Sequence, residues 1–295
     1  MKFTSLTKGY CICGITYILA GILSGYLCLI LSTLPPLLML LIVDIIATVF
    51  VFVLSMIFHN ASLYDPYWSV APFLIAIYWL VSSQIFANFY LRQIIIFLLI
   101  SIWSFRLTYN WLRQWKGIQH EDWRYRDLRV KHGKNFWFIN LTGIHLMPTI
   151  LVYLGSLSFY PSLTIINTPF NLLDVFGIGI TISAILIETI ADQQSYNFIK
   201  SKKDRSQLID YGLWNYSRHP NYFGEILFWW GMYFFALSAH ISFWWMIIGP
   251  ISITLLFNVV SIPLMEKRNM KRKPNYAEYK KKVSRLIPWF RKSGK

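Results

Sequence analysis

The sequence is poor in charged residues, and this shortage excludes most soluble folds. Only 14% of its 295 residues are charged, whereas 56% are hydrophobic and 18% are aromatic. Mean hydropathy is +0.46, and a soluble domain carries roughly 25% charged residues. Apolar stretches of about 18 residues or more recur, each long enough to cross a bilayer core as a helix. The composition therefore predicts an all-α polytopic transmembrane helical bundle.

Motifs of soluble cofactor and metal sites are missing as well. The three cysteines all fall in the first apolar stretch and the six histidines are scattered, so neither a disulfide framework nor a metal site is predicted. The stretch "GIGITI" at 177–182 lacks the third glycine of a dinucleotide fingerprint, and no phosphate-binding loop or HExxH is present. Linkers, repeats and a cleavable signal peptide are also not evident. We predict one membrane domain over 1–295, with N-terminal spans at 1–58, a core at 59–265 and a basic tail at 266–295.

The apolar stretches predict eight transmembrane spans. The break "SAHIS" is short, so the last two stretches can instead form a re-entrant pair, which leaves seven spans as the alternative. The predicted spans are 10–31, 36–58, 71–88, 91–109, 137–160, 172–198, 222–238 and 242–265.

Positive charge lies on one side of this arrangement. The net charge is +15, and with eight spans every Lys and Arg except Arg92 lies on or near the side of the termini. The positive-inside rule places both termini in the cytosol or in the matrix of an organelle. The tail "KRNMKRKPNYAEYKKKVSR" predicts contact with anionic lipid headgroups. Because this charge borders the membrane, nucleic acid is excluded as a partner.

Four polar clusters border the spans on the positive side. Ionisable groups at membrane depth are costly and usually face the interior of a bundle or a cavity. Asp65 precedes a proline and is expected to be extended, whereas Arg106, Tyr109 and Arg113 share one face at helical spacing. The clusters are "HNASLYDPYWSVAP" (59–72), "RLTYNWLRQWKGIQHEDWRYRDLR" (106–129), "ETIADQQSYNFIKSKKDR" (188–205) and "WNYSRHPNYFGE" (214–225).

The last cluster predicts the start of a helix and an anion site. Pro220 suits the first helical position, so the chain is expected to enter span 7 there. The N–H groups of Asn221, Tyr222 and Phe223 would then be free and, beside Arg218, would attract an anion. A helix cap with interfacial aromatic residues is the alternative interpretation.

The residues around this predicted anion site indicate which anion it would bind. Several Arg and Lys side chains, a helix N-terminus and aromatic rings suit a phosphate-bearing nucleotide. The rings in question belong to Trp214, Tyr222 and Tyr276.

The same motifs, taken together, resemble the steroid 5-alpha-reductase superfamily and, more closely, its DUF1295 branch. "RHPNY" followed by "GE" is less specific by itself, because isoprenylcysteine carboxyl methyltransferases have a similar C-terminal half and bind S-adenosylmethionine there. The resemblance covers roughly residues 60 to 290. It rests on "NASLYDPYWSVAP", "LTYNW" with "HEDWRY", "ETIADQQ", "GLWNYSRHPNYFGE" and the tail pieces "PNYAEY" and "RLIPWF".

The resemblance implies a membrane-embedded, NADPH-dependent reductase of a carbon–carbon double bond in a steroid-like or lipid-like substrate. It places Asp65 near the acid that contacts the substrate carbonyl and Tyr109 near the tyrosine that donates a proton. The chain departs from the family in having Asp65 instead of Glu, and Glu188 where the steroid reductases have Asn. Cofactor binding is implied for Arg113, Asp192, Gln194, Lys200, Arg218, His219, Asn221, Tyr222, Glu225 and Tyr276.

This assignment leads to an expectation for substitutions and leaves two alternatives open. Arg218→Ala and Asn221→Ala are each expected to weaken NADPH binding without unfolding the protein. One alternative is a catalytically silent membrane subunit that keeps the fold and has protein partners in a larger assembly, and the other is a methyltransferase of the isoprenylcysteine type. The endoplasmic reticulum is the expected location, with the mitochondrial inner membrane as the alternative.

Overall fold

The chain is helical throughout the part that is described. The computed structural model describes residues 5–82, 91–165, 168–202, 204 and 206–292. Within these ranges there is no β-strand, and the one isolated bridge is parallel and joins Ser217 to Ser284. This confirms the predicted all-α class.

Thirteen α-helices are formed within the described ranges, joined by short 3-10 turns and two π-helical segments. The π-helical segments are Asn140–Leu146 and Leu256–Ser261, each inserted between α-helices. The α-helices are α1 (Ser5–Ile30), α2 (Pro36–Ile57), α3 (Tyr67–Ser82), α4 (Leu91–Leu112), α5 (Trp123–His132), α6 (Phe136–Ile139), α7 (Met147–Ser156), α8 (Phe159–Thr164), α9 (Leu172–Ser201), α10 (Pro220–Ala239), α11 (Ile248–Leu255), α12 (Ile262–Arg272) and α13 (Tyr276–Lys282).

Six helical stretches among the described residues are long and apolar enough to cross a membrane. They are Leu6–Ile30, Pro36–Ile57, Leu91–Leu112, Trp123–Ser156, Leu172–Ser201 and Ile241–Arg272. The chain is therefore an integral membrane protein. Of the other two predicted spans, 71–88 falls on α3 but runs into residues outside the described ranges, and 222–238 falls on the 20-residue helix α10. The number of spans and the side of the termini stay predictions.

The chain divides into two compact units. Unit 1 comprises Met1–Asn88 and Ile100–Leu157, and unit 2 comprises Phe89–Leu99 and Ser158–Lys295. Helix α4 begins in unit 2 and ends in unit 1. These two units do not test the predicted division into N-terminal spans, core and tail, which stays a prediction.

Unit 2 is built around the close packing of α9 against α10. A side chain at Gly224 would place its Cβ 2.8 Å from the carbonyl oxygen of Ala184 and 2.8 Å from the Cβ of Glu188. A second close approach of α10 to α9 occurs two turns later, where a Cβ on Gly231 would lie 3.1 Å from the backbone nitrogen of Thr181. Small residues let helix backbones approach closely where packing has to hold them together. The glycine in "RHPNYFGE" is therefore required by helix packing.

Substituting Gly224 by alanine is expected to destabilise unit 2 by about 1–3 kcal/mol, because the contacted oxygen belongs to backbone that cannot rotate away. Gly179→Ala is the matched control on α9, since a Cβ there meets nothing within 4 Å. Alanine favours a helix interior by up to about 1 kcal/mol over glycine, so the control should be neutral or stabilising. Thermal unfolding of the two variants in detergent measures the difference, and equal midpoints would contradict the packing argument.

The prediction that Asp65 is extended is wrong. Asp65 has helical dihedrals, φ −51° and ψ −42°, although the residue before a proline disfavours that region. Asn60 caps the preceding 3-10 turn by accepting a hydrogen bond from the Ser62 N–H, and the Asp65 N–H then donates to the Ser62 carbonyl at 3.2 Å. The local hydrogen bonds outweigh the steric preference.

The single cation outside the predicted positive side, Arg92, is buried in an ion pair. Its guanidinium donates two hydrogen bonds of 2.8 Å to the carboxylate of Asp174, and it also contacts Thr168, the Pro169 carbonyl and Ser238. Asp174 in turn belongs to the capping box that starts α9 with Asn171. The exception to the charge pattern is thus a structural pair inside unit 2.

Candidate functional site

The arginine of "RHPNY" holds the C-terminal tail in place. The Nε and Nη2 atoms of Arg218 lie 2.8 and 2.7 Å from Oε1 of Glu266 on α12, and its Nη1 donates to the carbonyl oxygens of Lys280 and Val283 at 3.0 and 2.6 Å. Lys280 completes the group with an ion pair of 2.9 Å to Glu266. Both Arg218 and Glu266 are buried. Arg218 therefore joins α12 to the end of α13, which sequence reasoning did not anticipate.

The imidazole of His219 lies beside the same carboxylate. Its Nε2 is 3.6 Å from Oε1 of Glu266, too far for a hydrogen bond, and its ring stacks on that of Tyr222 with centroids 5.4 Å apart. Burial lowers the pKa of His219, while Glu266 acts in the opposite direction. The ring is therefore neutral at pH 7, and its Nε2 has no hydrogen-bond partner within the described ranges.

Tyr276, the predicted tail contact, is buried in the same region. It is 1% exposed and packs against Tyr279 with ring centroids 5.9 Å apart. Burial raises the pKa of Tyr276 to about 12, so the phenol keeps its proton. Its hydroxyl makes no hydrogen bond of normal geometry among the described residues, although Asn269 and Arg218 lie close enough to lower its pKa. Two buried polar atoms, on His219 and Tyr276, are thus left to contact a ligand or water.

An open cavity of about 490 Å³ adjoins this cluster within unit 2. We call it the basic cavity, because its charged lining contains four cationic side chains and one carboxylate. That carboxylate is Glu266, which is already paired with Arg218 and Lys280. Excess positive charge in a concave site raises the local concentration of anions. Its lining residues are Arg218, Pro263, Glu266, Lys267, Met270, Lys280 and Arg285.

A second group of predicted cofactor residues lies between α9 and α10. The side-chain amide of Asn221 donates to Asp192 at 3.3 Å, and Glu225 accepts a hydrogen bond of 2.9 Å from the indole of Trp229. The side chain of Gln194 accepts from the backbone N–H of Leu213 at 3.0 Å. Gly212 has φ +60°, and a Cβ there would lie 2.2–2.6 Å from the side-chain amide of Gln194. Gln194 therefore shapes the turn before "RHPNY".

One detail of the predicted anion site differs from expectation, and another agrees with it. The N–H of Phe223 donates to the carbonyl oxygen of His219 at 3.1 Å, so it is not free as the sequence predicted. Pro220 does begin α10, as predicted. Lys200 is exposed near the end of α9, where its ammonium group lies 4.5 Å from the ring centroid of Tyr196.

In unit 1, the phenol that contacts Asp65 is not the predicted one. The hydroxyl of Tyr125 donates to Oδ1 of Asp65 at 2.7 Å. Tyr109 is 62% exposed, and the guanidinium of Arg113 lies 5.7 Å from its ring centroid. Tyr125 belongs to the "HEDWRY" motif, so the motif was recognised but its role as the partner of Asp65 was missed. The catalytic roles of Asp65 and Tyr109 stay predictions.

Burial raises the pKa of Asp65 from 3.8 to about 6. The folded state then binds the Asp65 proton more tightly than the unfolded state, so this group favours folding below about pH 4 and loses that contribution as the pH rises through about 6. A rise of this size corresponds to about 3 kcal/mol. We expect the unfolding midpoint of the wild type, relative to Asp65→Asn, to fall across that window. A pH-independent difference between the two proteins would contradict the raised pKa.

A second acid–phenol pair lies inside unit 1, and its acid lies outside the four polar clusters that the sequence indicated. Asp44 sits in the middle of α2, and the Tyr67 hydroxyl at the start of α3 donates to its Oδ1 at 2.5 Å. Both residues are buried, and Oδ2 of Asp44 has no hydrogen-bond partner within the described ranges. An ionisable residue in a membrane span marks a functional site by default. A carboxyl group in an apolar run of 22 residues was the signal that could have revealed it.

Three further hydroxyl groups, those of Thr48, Tyr64 and Thr149, lie near this acid–phenol pair. Thr149 on α7 lies 2.7 Å from the hydroxyl of Thr48 and 2.7 Å from that of Tyr64. Tyr64 stacks on Tyr67 with centroids 5.0 Å apart, and its ring lies 4.5 Å from that of His145. His145 belongs to the π-helical segment of unit 1, and such segments are frequent at functional sites. The group is therefore a buried polar site within predominantly apolar helices.

Comparisons with known proteins agree with this architecture. The chain is an all-α integral membrane protein, and the sequence profile of DUF1295, described as a protein of unknown function, matches residues 51–283. The protein belongs to the DUF1295 family, which is part of the steroid 5-alpha reductase-like superfamily. The matched range contains Asp65, Tyr125, Arg218 and Tyr276.

One curated relative is also similar over most of its length. A protein of Schizosaccharomyces pombe, described as an uncharacterized protein, is 26% identical over 252 residues, which is 78% of this chain and 73% of that protein. No solved structure matches the chain.

Proposed function

We propose that this protein is a membrane-embedded, NADPH-dependent reductase of a carbon–carbon double bond in a steroid-like or lipid-like substrate. The observation that carries the proposal is the basic cavity of unit 2 beside the "RHPNY" motif. Membership of a steroid reductase-like family supports it further. The endoplasmic reticulum is the proposed location, with the mitochondrial inner membrane as the alternative.

The residues around the basic cavity suit a phosphate-bearing cofactor. NADPH carries a pyrophosphate and a further phosphate, and Lys and Arg are the side chains that bind such groups. Lys267 and Arg285 line the cavity and are the cations that sequence reasoning missed. Arg218 is occupied by Glu266 and by two carbonyl oxygens, so it supports the cavity wall and leaves phosphate binding to its neighbours. Tyr276 and His219 offer one unpaired polar atom each.

The buried acid–phenol pairs of unit 1 have the chemistry to polarise a carbonyl oxygen of the substrate. A phenol held by a carboxyl group can donate a hydrogen bond to an oxygen that gains negative charge, and it does so most effectively where water is excluded. Asp44 with Tyr67 is the more deeply buried pair, whereas Asp65 with Tyr125 lies at the predicted membrane surface. We assign the substrate oxygen to Tyr67. Because the Tyr67 O–H is donated to Asp44 in this structure, this role requires Asp44 to be protonated and to donate to the Tyr67 oxygen, which leaves the phenol hydrogen for the substrate.

The proposed reaction balances with one cofactor and one proton. NADPH, when bound, supplies a hydride to the β-carbon of a conjugated enone. The enolate oxygen would accept a hydrogen bond from the phenol, and a proton from water would reach the α-carbon, so that the C=C bond would become a C–C single bond with one new C–H bond at each carbon. Tyr67 is required to stabilise charge on the oxygen, which predicts an effect on turnover without an effect on NADPH affinity.

The proposal is tested first by NADPH binding and then by turnover. Calorimetry on purified protein should detect NADPH, and Lys267→Gln should weaken binding by about tenfold or more, as expected for one lost charge-assisted hydrogen bond of about 1.5–3 kcal/mol. With progesterone as a trial enone, Tyr67→Phe should lower turnover by at least about 10²-fold while NADPH affinity is kept. Tyr109→Phe is compared with it. If Tyr109→Phe lowers turnover more than Tyr67→Phe does, the contact with the substrate oxygen belongs to Tyr109. Protein that binds no NADPH would end the reductase proposal.

A catalytically silent membrane subunit is the second candidate, and one observation favours it. Arg218, Gln194 and Asn221, three of the motif residues, are bound to protein groups, so the fold alone accounts for them. This candidate predicts no NADPH binding, together with copurification of protein partners under mild detergent. For the methyltransferase alternative, S-adenosylmethionine would have to compete with NADPH in the same calorimetric experiment.

A further inference from the structure

The last described residues of unit 2 form an irregular segment whose backbone is held by hydrogen bonds. We call residues 284–292 the C-terminal segment. The Ser217 hydroxyl donates to the carbonyl oxygen of Leu286 at 2.6 Å, and the N–H of Trp289 donates to the carbonyl oxygen of Tyr216 at 3.0 Å. At the end of the segment, the N–H of Lys292 donates to the carbonyl oxygen of Lys282 at 2.9 Å. The segment therefore cannot turn its side chains inward by a simple backbone rotation.

Three large apolar side chains of this segment nevertheless lie on the surface. Ile287 is 62% exposed, Trp289 is 68% exposed and Phe290 is 76% exposed. The ring of Phe290 packs edge-on against Tyr216, with centroids 6.4 Å apart, and this contact fixes its direction. The rings of Trp289 and Phe290 have centroids 6.3 Å apart, and large apolar side chains exposed this close together are typical of a surface that another apolar phase covers.

Three cationic side chains flank these apolar residues in the sequence, and one of them, Arg291, lies 4.0 Å from Asp210. Arg285, Arg291 and Lys292 belong to the segment itself, and all three are exposed. The cores of protein interfaces are depleted of charged residues such as Lys. Aromatic side chains next to Arg and Lys are instead the composition of the membrane–water interface, where the rings lie at headgroup level and the cations meet lipid phosphates.

We propose that the C-terminal segment is an interfacial anchor that inserts Ile287, Trp289 and Phe290 into the headgroup–acyl boundary of an anionic leaflet. Arg291 and Lys292 bind the phosphates of that leaflet. Because the segment is hydrogen-bonded to residues 216–218, the anchor also fixes the loop that carries the "RHPNY" motif. The ligand is the anionic bilayer surface, and the proposal is independent of the reductase activity.

Insertion is tested by spin labels on full-length protein in nanodiscs. Phe290→Cys carries the label in a background whose own cysteines, Cys11, Cys13 and Cys28, are alanine. Glu278→Cys is the matched control, because Glu278 is an exposed, charged residue of the adjacent helix α13. We expect the label at 290 to collide with oxygen more than with a water-soluble nickel chelate, and the label at 278 to show the reverse. A label at 290 that behaves like the label at 278, or that is shielded from both reagents by a protein contact, would overturn the proposal.

A second measurement needs no cysteine substitutions. In nanodiscs that contain phosphatidylglycerol, wild-type protein should unfold at a higher temperature than in phosphatidylcholine alone. The pair Arg291→Gln and Lys292→Gln should abolish this shift. The pair Lys131→Gln and Lys134→Gln removes the same charge from exposed positions of unit 1 and should keep it. If both pairs of substitutions reduced this shift equally, the shift would reflect nonspecific attraction between the basic protein and the anionic lipid, and the anchor would be refuted.

Discussion

Arg218→Gln is expected to lower the free energy of unfolding by about 3–5 kcal/mol, the usual cost of breaking one side of a buried ion pair. Glutamine leaves Glu266 in a buried position with only Lys280 as a charged partner. It also removes the donors to the carbonyl oxygens of Lys280 and Val283. We therefore expect the tail beyond α12 to detach from Arg218 and its neighbours in unit 2. NADPH binding should be lost as a consequence of that change.

Thermal unfolding and limited proteolysis after the lysines of α13 measure the two effects of Arg218→Gln. In detergent, where no anionic leaflet is present, the matched control is Arg291→Gln, since Arg291 is an exposed arginine whose contacts are with Asn215 and Asp210. Exposed pairs contribute about 0–1 kcal/mol, so the control should stay close to wild type. The double variant Arg218→Gln with Glu266→Gln removes the uncompensated charge and should recover part of the loss. An Arg218 variant with wild-type stability, an intact tail and weakened NADPH binding would restore the sequence-based expectation for this residue.

Arg92→Leu, also in unit 2, is expected to lower the free energy of unfolding by a similar amount, about 3–5 kcal/mol. The pair with Asp174 is buried on both sides, at 5% and 0% exposure. Without the guanidinium, the carboxylate stays buried at the start of α9, where it also accepts a hydrogen bond from the Asn171 N–H. Ser238 and the Pro169 carbonyl lose a donor as well.

The double variant Arg92→Leu with Asp174→Asn separates the charge from the capping interaction. Asparagine is neutral but keeps a side-chain oxygen for the Asn171 N–H, so unfolding midpoints should recover partly and not completely. Arg126→Leu, at an exposed position of α5, is the control for removing an arginine. If Arg92→Leu and Arg126→Leu had the same midpoint, the ion pair would not contribute to stability.

Some of the site was predictable because its determinants lie close together in the sequence. Pro220 begins α10 as expected, since its missing N–H costs nothing at that position. The four motifs were recognised because they are short and contiguous, and the family match over residues 51–283 agrees with them. Asp65 shows the limit of such reasoning, because hydrogen bonds accepted by the Asn60 side chain and the Ser62 carbonyl outweighed the preference imposed by the following proline.

The amino-acid sequence by itself determined the class of the protein, because the partition of apolar residues into a membrane depends mainly on composition along short stretches. The partners of the ionisable residues were decided only by the tertiary structure. Arg218 meets Glu266, which lies 48 positions away, and Asp65 meets Tyr125, which lies 60 positions away. Asp44 meets Tyr67 because α2 packs near the start of α3. The physical reason is that a charged side chain near a membrane is stabilised by whichever opposite charge or donor helix packing brings within about 3 Å, and sequence spacing does not encode that distance.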